Sequence, residues 1–483
     1  MNRRMVFYIL GRIIMFEALL LLLPAVVAVI YKENALWSFL IAAGVALAVS
    51  FAFTFLSRPG TRLIYAKEGF VIVALAWIIM SAIGALPFTI SGEIPNYIDA
   101  FFETVSGFTT TGASILTDVE AMCKSALFWR SFTHWVGGMG VLVFIMAVVP
   151  SLCDRSIHIL RAEVPGPVVG KLVPRVRQTA KILYLIYIAL TLVELVLLLF
   201  GGMNLFEATV HAMGTAGTGG FGIRADSIGS YSPYIQWVIA IFMIIFGVNF
   251  NLYYFILIRR AKSALKSREL WCYIGMILVS AGIIAYNIYP IYQNIGDSAR
   301  HSVFQVATVM STTGFSTADF NTWPMVSRTI LLILMFSGAC AGSTAGGLKI
   351  SRVMMLFKMI KRELLHMVHP RSVASVRMEG KKVDDVTTNS VGIYFALYIV
   401  IILAVFLLLS FETGFTIEDN FTASVACFNN IGPGLGAVGP MGGFAGYSGF
   451  SKLVLSFAML LGRLEIYPIL FAFIPSTWTR KIN

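Results

Sequence analysis

Charge is what this sequence has least of. Asp, Glu, Lys and Arg supply only 12% of its 483 residues, against roughly 25% in a soluble domain, which excludes an ordinary water-facing surface. Cysteine is also thin. Cys123, Cys153, Cys272, Cys340 and Cys427 are scattered with no CxxC spacing, so neither a disulfide framework nor a zinc site is expected, and the five read as small buried apolar side chains. HExxH and GxSxG are both missing, and no nucleophile, metal site or acid–base pair is clustered, which argues against a membrane-embedded enzyme. Segments of about ten residues with alternating polarity are absent too, which argues against a transmembrane β-barrel.

Hydrophobic residues take the vacated space, at 58% of the chain. Ten apolar runs, 8–31, 36–57, 70–90, 125–150, 181–201, 233–258, 271–290, 329–355, 391–411 and 451–475, approach or exceed the roughly 20 residues a helix needs to cross a 30 Å hydrocarbon core. The expected fold class is therefore an all-α integral membrane protein, with the lipid bilayer as its surroundings. The first run exceeds the usual 7–15-residue apolar core of a signal peptide and no small-residue cleavage site follows, so it is expected to stay as a helix.

The net charge of +12 would suit nucleic acid until it is sorted by side. With ten crossings and the N-terminus inside, 27 of the 36 Lys and Arg residues fall in cytoplasmic segments, seven lie outside, and Arg12 and Arg463 sit within helices. That is the positive-inside bias, and it predicts both termini in the cytoplasm with no nucleic-acid partner. The basic segment 358–382, containing KMIKRELLHMVHPRSV, suits anionic lipid head groups or the docking of a cytosolic partner, or both.

After an initial helix pair, one pattern occurs four times: apolar helix, short amphipathic segment, Thr/Gly-rich stretch, apolar helix. The short segments, 97–108, 204–214, 298–310 and 418–428, hold 11–13 residues and cannot span a bilayer, so each must enter and turn back. Re-entrant backbone is tolerated at membrane depth only where it is buried in protein or lines a water-filled cavity, and four such turns around one axis would line a pore. FETVSGFTTTG (102–112) aligns without gaps over FQVATVMSTTG (304–314). On this register Gly112, Gly220, Gly314 and Gly432 are equivalent, at spacings of 108, 94 and 118 residues. The resulting division is 1–66 for the helix pair, then 67–152, 153–260, 261–357 and 358–483 for the four repeats with their cytoplasmic segments.

Glycine adopts positive φ at no steric cost, so the carbonyls around it can turn toward one axis, and rings of carbonyls can replace the hydration shell of a cation. Thr110, Thr111, Thr218, Gly219, Thr312 and Thr313 precede the four glycines, with Asn430 and Ile431 in the fourth repeat. Short helices ending at mid-membrane would aim the negative ends of their dipoles at the path and favour cations. Transport of a cation fits better than catalysis.

SGFTTTGAS, STTGFST, NNIGPGLG, GACAGSTAGGLK and GRLE, with the helix pair and four repeats, closely resemble the TrkH/TrkG family of Trk-type potassium uptake proteins over essentially the whole chain. The resemblance implies a potassium-translocating subunit without a cofactor of its own, a homodimer in which each protomer has its own pore, and regulation by a cytosolic nucleotide-binding partner of the TrkA type. It implies an inner-membrane location, and filter glycines at Gly112, Gly220, Gly314 and Gly432. Some relatives carry serine at the first position and pass sodium, so Gly112 implies potassium selectivity. Only the first glycine of the channel pattern TVGYG recurs in every repeat, which implies looser selectivity than a true potassium channel has.

GACAGSTAGGLK (338–349) lies within the run 329–355. Gly338, Gly342 and Gly346 have the spacing of a close helix–helix contact, whereas the resemblance implies a broken helix whose loop, with Ser343, Thr344 and Gly347, lies across the pore below the filter. Arg463 is a charge deep in a membrane helix and is expected to face the bundle interior or a cavity. It reads as a paired or snorkelling structural arginine, or, by the resemblance, as a barrier inside the filter; Glu465 lies on another helix face and is a poor immediate partner. GTGGFG (217–222) and GSTAGGLK only mimic nucleotide motifs, the first without a preceding strand and the second with leucine where a P-loop needs lysine. His134 and His211 read as structural histidines. Glu194, an intramembrane acid, keeps a sodium- or proton-coupled symporter open as the alternative.

Overall fold

The computed structural model describes residues 1–57, 66–140, 176–371 and 374–478. Helices Arg3–Leu20 and Leu22–Tyr31 run on from one another and pack against Leu36–Leu56. The approach is close because Gly11 carries no side chain: a Cβ there would lie 2.8 Å from Thr54 and 3.0 Å from Phe53. The Ser50 hydroxyl donates to the Gly11 carbonyl at 2.7 Å. Small residues and buried hydroxyls are what bring helices together in lipid, where apolar burial drives little association.

Four repeats follow. Their outer helices are Ala66–Gly84, Val176–Phe200, Arg268–Tyr292 and Asp385–Leu409. Each leads into a short pore helix: Tyr97–Phe108, Leu205–Gly217, Ile295–Met310 and Ile417–Phe428. The starts of these short helices have a common local cause. Asn96, Asn204, Asn294 and Thr416 each accept a hydrogen bond from a backbone N–H of the first turn, and an acidic residue stands in that turn in every case. A capping oxygen and a negative charge both answer the unpaired N–H groups and positive dipole end of a helix start.

The second helices depart from the sequence expectation. Among the described residues six helices are long and apolar enough to cross a membrane, or seven if one bent pair counts as a span, rather than ten. The second helix of each repeat stops early: Lys124–Gly138, Pro233–Phe246, Met325–Met335 and Gly449–Arg463. In the second repeat the chain turns by 90° before Phe250–Leu257, in the third it is non-helical until Ile350–Val368, and in the fourth it resumes at Tyr467–Phe473. In the first repeat the latter part of the expected run, 141–150, lies outside the described residues. Glycine accounts for three of these ends: Gly137 and Gly138, Gly247, and Gly338 with the glycines after it, since glycine weakens a helix interior by about 1 kcal/mol relative to alanine. In the fourth, Glu465 and Ile466 adopt φ of 54° and 67°, which no right-handed helix accommodates. A two-stranded hairpin, Arg377–Met378 with Lys381–Lys382, follows the long amphipathic helix Ile350–Val368.

Candidate functional site

All four pore helices end in the same way. Thr110 N–H bonds to Gly107 O and Thr111 N–H to Ser106 O. The same pair recurs as Thr218 to Thr215 and Gly219 to Gly214, Thr312 to Val309 and Thr313 to Thr308, and Asn430 to Cys427 and Ile431 to Ala426, all between 2.8 and 3.3 Å. This is the Schellman pattern, which requires a left-handed residue just past the helix. Thr110, Thr218, Thr312 and Asn430 supply it, at φ of 55°, 54°, 56° and 56°. Two residues on, Gly112, Gly220, Gly314 and Gly432 are again at positive φ, 79°, 76°, 93° and 93°. Between each pair stands a residue with ordinary φ. Alternation of this kind turns successive carbonyls to one side of the strand. β-Branched threonine at positive φ is a genuine outlier, and strain held at three equivalent positions is a mark of function.

The four turns close into a ring. A Cβ on Gly112 would lie 2.0 Å from Gly219 O, one on Gly220 2.1 Å from Thr313 O, one on Gly314 2.4 Å from Ile431 O, and one on Gly432 2.7 Å from Thr111 O. Each strand thus abuts the carbonyls of the next, and the fourth returns to the first. Thr110, Thr111, Thr218, Thr312, Thr313, Asn430 and Ile431 are all buried. The C-terminal ends of four helices converge on this ring, which favours positive charge there.

Side chains behind the ring set its shape. His134 Nδ1 lies 2.7 Å from Gly107 O, and its ring fills the space a Cβ on Gly219 would need, at 2.3 Å. Asn430 reaches from the fourth repeat to the first, its Nδ2 donating to Thr111 Oγ1 at 2.9 Å. Hydroxyl pairs support the first and third turns, Thr109 with Thr111 at 2.8 Å and Ser311 with Thr313 at 2.6 Å. Tyr398 donates to Asn429 Oδ1 at 2.7 Å. His211, with Nδ1 on Glu207 O at 2.8 Å, also packs behind the ring, against Phe315.

Residues 336–349 form a loop rather than the tight helical contact their glycine spacing allows. Gly338, Gly342 and Gly347 adopt φ of 65°, 75° and 76°, and Lys349 71°. The loop is held along its length: Cys340 N–H to Gly247 O at 3.1 Å, Phe250 N–H to Gly342 O at 3.1 Å, Ser343 Oγ to Cys340 O at 2.7 Å, Thr344 Oγ1 to Phe246 O at 3.3 Å, and Ala341 N–H to Glu269 at 2.7 Å. Gly346 N–H donates to Thr312 Oγ1 at 2.7 Å, which ties the loop to the ring itself. A Cβ on Gly346 would strike Asn429 O at 2.4 Å.

Arg463 gathers the breaks of three repeats. Its guanidinium donates to Thr344 O at 2.7 Å, to Gly138 O at 2.7 Å and to Gly137 O, so it joins the loop to the end of the first repeat's second helix. Glu465 is not its counterion; that carboxylate pairs with Arg352 at 2.6 Å, 113 residues away.

Sequence reasoning missed two ion pairs, one buried on both sides and one half-buried. Arg130, counted with the outer charges, is 3% exposed and pairs with Glu103 at 2.7 Å. Lys452 pairs with Asp99 at 2.7 Å. The signal for Arg130 was present, since an arginine inside the apolar run 125–150 asks for a partner as Arg463 does.

A closed ring of four left-handed turns, carried by four repeats of one apolar chain, defines a multi-pass helical membrane transporter. The comparisons agree. Residues 38–277 and 288–481 match the TrkH family, described as a cation transport protein. The Trk system potassium uptake protein TrkH of Salmonella typhimurium is 37% identical over 99% of this chain and 100% of its own length. The corresponding TrkG of Escherichia coli K12 is 33% identical, covering 98% of each. A crystal structure of the potassium transporter TrkH from Vibrio parahaemolyticus superposes with a TM-score of 0.89 at 32% identity, over 99% of this chain and 100% of that one. The chain belongs to the TrkH family, a family of transport proteins and not of enzymes.

Proposed function

We propose that this chain is the potassium-translocating membrane subunit of a Trk-type uptake system, working as a channel-like pore. The observation that supports the reading is the closed ring of four left-handed turns, since rings of backbone carbonyls can replace the hydration shell of a cation. Thr110, Thr111, Gly112, Thr218, Gly219, Gly220, Thr312, Thr313, Gly314, Asn430, Ile431 and Gly432 form the selectivity filter in this reading. The names of the relatives, potassium uptake proteins, supply the cation.

The loop with Gly338, Gly342, Ser343, Thr344, Gly346 and Gly347, pinned by Arg463, is the gate. Its hydrogen bonds to both a filter threonine and an intramembrane arginine support that role. The protein works as a homodimer in the inner membrane, both termini in the cytoplasm, under a TrkA-type nucleotide-binding subunit; the excess of Lys and Arg in the inner segments supports that orientation. The test is flux of potassium, rubidium, sodium and lithium through the purified protein in liposomes. Potassium and rubidium are expected to pass in preference without any other gradient. Flux that requires a proton or sodium gradient would establish symport instead, with Glu194, fully buried beside Thr215 of the second pore helix, as the first group to substitute.

A further inference from the structure

Each strand leaving the ring needs something to hold its outer limb, and three repeats use a residue within their own pore helix. In the first, Glu103 accepts from Ile115 N–H at 3.0 Å and from Ser114 Oγ at 2.9 Å. In the third, Gln305, in the same register nine residues before its glycine, donates to Ala318 O at 3.2 Å. In the fourth, Thr422 Oγ1 accepts from Leu435 N–H at 3.0 Å. The second repeat has His211 in that register, and its imidazole bonds to Glu207 O of its own helix instead.

The outer limb of the second strand is held from the first repeat. Arg130 Nη1 reaches Gly222 O at 3.4 Å, and the guanidinium lies 4.0 Å from the centroid of Phe221, the residue after the ring glycine Gly220. The same guanidinium grips Glu103 through Nε at 2.8 Å and Nη2 at 2.7 Å, and approaches Ser114 Oγ at 3.3 Å. Both side chains are essentially withdrawn from solvent, at 2% and 0% exposure. One buried ion pair therefore touches the exits of two adjacent strands.

We infer that Glu103 and Arg130 are positioning residues for ion selectivity: the pair clamps the outer limbs of the first and second filter strands at a fixed separation. The inference rests on the reading of the ring as a potassium filter. A charged pair suits the task because its planar fork fixes direction as well as distance, and because its attraction is little screened where water is excluded. Gln305 makes the equivalent attachment without charge, so the first two strands are the ones whose spacing depends on an ion pair.

The experiment measures the potassium-to-sodium flux ratio in liposomes and the thermal unfolding temperature in detergent for the full-length wild-type protein and for Glu103→Gln, Arg130→Lys and Ser114→Ala. Glu103→Gln keeps shape and removes charge; it is expected to lower the ratio roughly tenfold or more, the order of effect produced when pre-placed groups shift by a fraction of an ångström to an ångström. Arg130→Lys, which keeps charge but loses the fork, is expected to recover part of it. Where Glu103→Gln fails to fold, Ser114→Ala removes only the hydroxyl between the two charges, and a lowered ratio there supports the clamp. A variant that unfolds at lower temperature yet keeps the wild-type ratio overturns the inference and leaves the pair a purely structural contact. A wild-type protein without preference for potassium overturns the functional reading itself.

Discussion

Substituting the ring glycines one at a time by alanine should damage selectivity in a graded order. At Gly220 the new Cβ would sit 2.1 Å from Thr313 O and 2.9 Å from the carbonyl carbon of Gly314. Real Cβ atoms do not approach within 3.0 Å, so the third strand must retreat by about an ångström. The positive φ alone costs roughly 1–2 kcal/mol for a residue with a side chain. The chain already bears that conformation at Thr218, so the overlap with the neighbouring carbonyl decides the outcome. A carbonyl displaced by an ångström in a pre-organised site costs on the order of 10²-fold. The overlap is worst at Gly112 and Gly220, with Cβ distances of 2.0 and 2.1 Å, smaller at Gly314 at 2.4 Å, and least at Gly432 at 2.7 Å. Potassium-to-sodium flux ratios in liposomes, measured for all four alanine variants, should fall most for the first two and least for the last. Gly220→Ser should weaken sodium exclusion in the same way. Undiminished selectivity in the Gly220 variants, or Gly432→Ala as the most damaged of the four, would refute the reasoning.

Arg463→Ala frees Thr344 O, Gly137 O and Gly138 O together and should raise potassium flux in the absence of any cytosolic subunit; unchanged or lower flux from a folded variant counts against a gating role. Thr312→Val removes the acceptor of the Gly346 N–H, and leaving that buried donor unpaired costs about 1–3 kcal/mol. The expected result is faster hydrogen exchange at Gly346 and higher basal flux, and an unaltered exchange rate would contradict it. Outside the membrane-spanning segments, hydrogen bonds from Ser448 and Ser451 hold the Glu412 carboxyl below its ordinary value of 4.5. A lowered folded value means that its stabilisation is complete above the ordinary value and drains away as pH falls through the folded one. Thermal unfolding of the wild type against Glu412→Gln should therefore differ at neutral pH and converge in acid; parallel pH profiles would exclude the contribution.

The pore helices were legible as short amphipathic stretches, and the first and fourth have nearly the expected bounds. The second runs on to Gly217 and the third starts already at Ile295, because the glycines near the end of the one and the polar cap Asn294 of the other carry no hydrophobic signal. The interrupted second helices were not legible as such. The apolar runs at 233–258 and 451–475 continue through the breaks, and hydropathy does not register the 90° turn before Phe250 or the positive φ of Ile466. GACAGSTAGGLK showed its weakness as a helix through composition, but its bond to Thr312 joins residues 34 apart, which no local pattern encodes. Arg130 was hidden differently: hydropathy averaged it away inside an apolar run, and its carboxylate partner belongs to a separate helix. Glu465 was correctly set aside as a partner for Arg463, yet its own counterion, Arg352, belongs to another repeat.

The ring is written into one polypeptide, and its corners are not copies of one another: Thr110, Thr218 and Thr312 share three sides, and Asn430 takes the fourth. In an assembly of four identical subunits any exchange of a lining residue is imposed on every side at once. Here a single codon alters one quarter of the circle and leaves the rest intact, so natural variation can tune ion preference by small, separable increments.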